Sequence, residues 1–163
     1  IWICILLAGM LSIQTIFKED YDDGSLDLFY VRRFSMLQVV LIKIFVNWIF
    51  TALPLILLSC SMVFLLYFPL EKLLNLIGSL FIGTLIISFF GALAGALSLG
   101  RNSILASAIM LPLSLPVLIL GSSASTYSSE NITFFILLLL ALLFFSVPII
   151  SIACIGAIRL HYE

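Results

Sequence analysis

Residues 17–35, FKEDYDDGSLDLFYVRRFS, gather five acids (Glu19, Asp20, Asp22, Asp23, Asp27) and three bases (Lys18, Arg32, Arg33), more than half of the charge in the chain. Carboxylates at this density raise cation binding first. In an EF-hand loop the glycine stands at position 6, position 3 supplies an oxygen ligand and position 12 a bidentate Glu. Setting Gly24 at the glycine position puts Tyr21 and Tyr30 at the two ligand positions, and the match fails. Two readings remain: a solvated connector with no further role, or a handle gripped by another protein.

Little else in the chain could do chemistry. Cys4, Cys60 and Cys154 each sit inside an apolar run with no second Cys or His at ligand spacing. That is the setting of a small hydrophobe in a packed helix rather than of a disulfide or a metal ligand. His161, the sole histidine, stands near Arg159 beyond the last apolar run and reads as a surface residue. No set of His, Met and Cys at facing positions offers ligands to haem or a metal, so the sequence points to no directly bound cofactor. A G-x-x-x-x-G-K-S/T nucleotide loop is absent, and no catalytic residue is assigned. If ATP-driven work is done, a partner subunit hydrolyses the nucleotide.

The elements that must position these residues follow from composition. Of 163 residues, 64% are hydrophobic and 9% charged, with a mean hydropathy of +1.35. An average soluble domain is about 45–50% apolar and about 25% charged. No soluble surface can be made from this inventory, so the expected class is an all-α integral membrane protein with the lipid bilayer as its surroundings. In hydrocarbon every backbone group must be paired internally, and no run shows the alternation of a barrel strand. With seven Lys plus Arg and a net charge of −1, nucleic acid is excluded as a partner.

Apolar runs predict five spans in one transmembrane domain over 1–163, at about 1–16, 37–67, 76–98, 103–120 and 132–159. The first falls short of the about 20 residues a crossing needs, so the chain is expected to lack the beginning of that helix. The second is long, and Lys43 and Asn47 in its first turns are expected at the membrane surface, with Lys43 snorkelling toward it. Loops on the side of residues 17–36 hold Lys18, Arg32, Arg33, Arg101 and Arg159, whereas the opposite loops hold Lys72. That asymmetry puts 17–36 in the cytoplasm, or its equivalent in a mitochondrial matrix, and 121–131 outside.

Within the spans, Pro54, Pro112, Pro116 and Pro148 each remove a backbone donor. Static kinks and working hinges both fit, with Pro54, Pro112 and Pro116 as the hinge candidates. Gly91 and Gly95 form a GxxxG pair beside Ala92 and Ala96, a pattern that lets helix backbones approach closely. No acid occupies the centre of a span, which argues against a proton- or ion-driven carrier. In the charged stretch, Gly24 can make a turn and Ser25 can cap a following helix. Asp27 then suits the first turn of that helix, and Arg32 and Arg33 its later turns. Leu26, Phe29, Tyr30, Phe34 and Leu37 recur about every 3.6 residues, so a short amphipathic helix is expected along the membrane surface.

Taken in order, these stretches resemble a known family. FKEDYDDGSLDLF is similar to its acidic loop, and the similarity continues through IKIFVNWIFTALPLIL with Lys43, Asn47, Trp48, Leu53, Pro54 and Leu55. It extends into GALAGALSLGRNSILASAIMLPLSLPVLILG, where Gly91, Gly100, Arg101, Leu111, Pro112, Pro116, Leu118 and Gly121 fall in the family pattern. The family is the membrane permease subunit of the cytochrome c maturation ABC transporter, haem exporter protein B. The resemblance implies an ABC-2-like exporter permease fold of six helices, five of them in this stretch. It implies a cytoplasmic ABC ATPase subunit that binds ATP, a Trp-rich haem-handling membrane protein and a membrane-anchored haem chaperone as partners. Haem is then a candidate substrate, and the location a bacterial inner membrane or, alternatively, a mitochondrial inner membrane. It further implies that the cytoplasmic segment docks on the ATPase through Asp20, Asp23, Gly24, Ser25, Leu26, Asp27, Phe29, Arg32 and Arg33. An ABC-2-type permease for a lipid, drug or glycan, and a non-transporting scaffold, stand as alternatives.

Overall fold

A computed structural model describes residues 1–24, 35–65, 73–99, 103–126 and 129–159 of the chain. The described residues form α1 (Trp2–Ile16), α2 (Lys18–Asp22), α3 (Met36–Leu65), α4 (Leu73–Leu97), α5 (Ser103–Thr126) and α6 (Ser129–Arg159). No strand occurs among them, and the protein is an all-α membrane protein. Among the described residues α3, α4, α5 and α6 are long and apolar enough to cross a membrane, while the apolar part of α1, Trp2–Ser12, is shorter.

Two stretches differ from the sequence expectation. Most of 121–131, expected as a loop, is helix, because α5 runs to Thr126 and α6 begins at Ser129. The Ser122 and Ser125 hydroxyls donate to the carbonyls of Ile119 (3.1 Å) and Gly121 (2.8 Å), so these side chains are satisfied by their own helix. Residues 18–22, expected as part of a charged loop, form α2, and the Tyr21 amide donates to Phe17 O at 3.0 Å across the joint with α1. This short helix ends where the Asp23 amide donates to Glu19 O (2.9 Å) and the Gly24 amide to Tyr21 O (3.3 Å). Gly24 closes it with φ of 69°, the left-handed conformation that glycine takes just past a helix end. The amphipathic helix expected after Ser25 lies outside the described residues.

The core is organised around α4, which packs on α1, α3, α5 and α6. In its apolar window 67% of residues are buried, against 22% to 28% in α3, α5 and α6. Gly83, Gly91, Ala92, Ala94, Gly95 and Ala96 are all buried on it, and such small side chains let neighbouring backbones close in. Outer faces carry exposed Phe50, Ile104 and Phe144, as suits a surface solvated by lipid tails. Pro54, Pro112, Pro116 and Pro148 stand on these exposed faces, inside helices that continue through them.

Candidate functional site

Of the charged stretch, the described part is α2 and its turn. Phe17, only 1% exposed, anchors the joint with α1. Lys18, Glu19, Asp22 and Asp23 are exposed beyond it, whereas Asp20 turns inward. The Asp20 carboxylate pairs with the ammonium of Lys43 on α3, and the two side chains are only 23% and 26% exposed. Lys43 Nζ also donates to Ile16 O at 3.1 Å and lies 5.9 Å from the centroid of the Phe17 ring. Ile16 O is among the last carbonyls of α1, which lack an intrahelical donor and form the negative pole of the helix. One lysine therefore meets a carboxylate, a helix end and an aromatic face. The Lys43 head, expected from the sequence to snorkel toward the membrane surface, is engaged by protein.

The same seam is tied again one turn further along α3. Ser12 Oγ of α1 donates to Asn47 Oδ1 at 2.9 Å and lies 3.1 Å from Thr51 Oγ1. Because Ser12 meets Asn47 and Thr51 while Ile16 meets Lys43, α1 and α3 run antiparallel. Beneath the seam, Gly9, Asn47, Trp48, Thr51, Thr84 and Ser88 line a cavity that leaves about 20 Å³ open to the centre of a water molecule. That is room for about one water, with Asn47, Thr51, Thr84 and Ser88 as polar neighbours in a lining that Ile5, Ala52, Leu55 and Ile87 make largely apolar.

Both tryptophans of the chain pin outer helices to the centre. Trp48 Nε1 donates to Thr84 Oγ1 of α4 at 3.2 Å, and its ring meets Phe81 edge-on at 4.9 Å. Trp2 Nε1 donates to Ser125 Oγ of α5 at 3.3 Å, and Ser125 Oγ lies 3.1 Å from Ser79 Oγ of α4. The Trp2 ring fills the space above Gly83 and Gly121, where a Cβ at either position would run into it. Sequence reasoning missed this seat. Its signal is weak, two glycines inside different helices, each costing about 1 kcal/mol in helix propensity relative to Ala and so each needing a packing reason.

With this geometry in view, the comparison with known proteins is decisive. The family model described as CcmB protein matches residues 1–161. The chain belongs to the CcmB family. Among curated relatives, heme exporter protein B of Pseudomonas aeruginosa is 35% identical over 134 residues, covering 81% of this chain and 60% of that protein. Heme exporter protein B of Rhodobacter capsulatus is 38% identical over 81% of this chain and 62% of its own length. Heme exporter protein B of Escherichia coli K12 is 31% identical over 81% of this chain and 61% of its own. The chain thus spans about three fifths of the length of the curated relatives it matches. With its apolar crossing helices and these bacterial relatives, this CcmB-family chain is a multi-pass protein of the bacterial inner membrane.

The CcmB match includes every residue that the sequence singles out, and the structure distributes them unevenly. Asp20, Asp23 and Gly24 lie together on α2 and its turn. Ser25, Leu26, Asp27, Phe29, Arg32 and Arg33 lie outside the described residues. Gly91 and Gly95 are buried in the later half of α4, past Ile87, which packs on Gly9. Pro54 stands about three turns beyond Lys43 on α3, and Pro112 and Pro116 lie on α5. Among the described residues no group of three or more His, Cys, Asp or Glu side chains is placed to hold a metal ion.

Proposed function

We propose that this chain is the permease portion of an ABC-type transporter in cytochrome c biogenesis, driven by ATP hydrolysis in a separate cytoplasmic subunit. The observation that carries the reading is the description shared by relatives 31% and 38% identical to the chain, heme exporter protein B. The substrate is haem, or the haem-loaded form of a membrane-anchored chaperone whose release the transporter drives. A haem-handling membrane protein completes the assembly. The chain's own part is mechanical. Exposed Asp23 and the Gly24 turn stand at the near end of the docking handle, Asp20 of the same set turns inward to Lys43, and Ser25, Leu26, Asp27, Phe29, Arg32 and Arg33 continue the handle. Closure of the ATPase subunits pushes this segment, and the proline-bearing helices, with Pro54, Pro112 and Pro116 as hinges, carry the motion into the membrane.

The test is genetic and chemical together. Deleting the full-length gene is expected to abolish covalently bound haem in c-type cytochromes, read by haem staining, while b-type haem proteins keep theirs. Undiminished c-type haem in the deletion strain contradicts the reading.

A further inference from the structure

We propose that Lys43 is a positioning residue for energy coupling, a latch that holds α2 on α3 so that a push on the segment after Gly24 moves α1 and α3 as one body. The proposal rests on reading that segment as the docking handle. Its geometric basis is a closed loop. The chain leaves the bundle at α1, forms α2, turns at Gly24 and returns at Ser35 into α3. The segment 25–34 is therefore joined covalently to α3 at its far end. The Asp20–Lys43 pair joins its near end to the same helix, two turns into α3.

With the latch in place both ends of the handle act on α3, and displacement cannot be absorbed by α2 swinging free. Lys43 also holds Ile16 O at 3.1 Å, and Ser12 holds Asn47 at 2.9 Å one turn deeper, so α1 is carried along. The pair is suited to the task because it is three-quarters shielded from water, where charge attraction is stronger and less screened by salt than at an open surface. The Phe17 ring and the α1 C-terminus add to its hold on the cation.

The experiment uses the full-length protein with its bound subunits in lipid nanodiscs, reading hydrogen exchange of the 18–22 amides, together with c-type cytochrome haem in cells. Lys43→Met keeps the stem and removes the charge. It is expected to speed exchange in α2 by about tenfold and to lower cytochrome haem by about fivefold or more. Lys43→Arg, which keeps the cation and its donors, is expected to keep both near wild type. Unchanged exchange in Lys43→Met overturns the latch. Faster exchange with undiminished cytochrome haem overturns its role in coupling while leaving the proposed function standing. If wild-type cytochrome maturation proves independent of this protein, the functional reading and the coupling role both fall, and exchange still decides whether the pair holds α2.

Discussion

The Trp2 indole occupies a volume that α4 and α5 leave open by carrying hydrogen at Gly83 and Gly121 where other residues carry a methyl. Between helices in lipid there is little hydrophobic drive, so such shape matching and the indole N–H bond to Ser125 hold α1 in place. Gly121→Val is expected to destabilise the bundle by about 1–3 kcal/mol through overpacking, and Trp2→Ala by about 3–5 kcal/mol through the cavity it leaves. Combining Trp2→Ala with Gly121→Ala should cost less than the two single changes together, because the new methyl enters the vacated space. Thermal unfolding of the purified full-length protein in detergent reads all of these, and strict additivity would show that ring and glycine do not share one volume. The same scale holds Lys43, whose charge does the joining, whereas Trp2 joins by shape.

Among elements, α4 is central, yet its mean hydropathy of 2.2 is no higher than that of its neighbours and lies below the 2.9 of α6. Lipid tails are as apolar as a protein core, so hydropathy marks which segments are helical in a bilayer but not which of them is inside. The small residues are the better signal, and Gly91 with Gly95 falls on the helix that is buried. Element type was therefore legible, and the two misread stretches share one cause. Serine and acidic residues favour turns in water, but Ser122 and Ser125 bond to their own helix, and Lys18–Asp22 continues from α1 through Phe17. The partners of Asp20 and Trp2 were not legible, because each contact joins residues far apart in sequence. Prolines belong to this scale too. Replacing Pro112 and Pro116 by Ala restores two backbone donors in α5, so stability in detergent should hold or rise. If they serve as hinges, cytochrome haem should fall severalfold in the same variant, and an undiminished level would mark them as static bends.

As a whole, the molecule packs α1 on α4 and α5 around Trp2 at one end and carries the charged α2 at the other, beside the seam of α1 and α3. Under the proposed function, that division of parts suits a subunit that transmits force generated elsewhere. The central claim is that an ATPase grips the handle. Purifying the full-length protein from its own membrane and identifying bound subunits by mass spectrometry tests it most directly. The account predicts that an ABC ATPase is recovered in near-stoichiometric amount and that Asp23→Lys, which still inserts normally, lowers that recovery. Recovery of no ATPase with the wild-type protein, or an undiminished amount with Asp23→Lys, would contradict it.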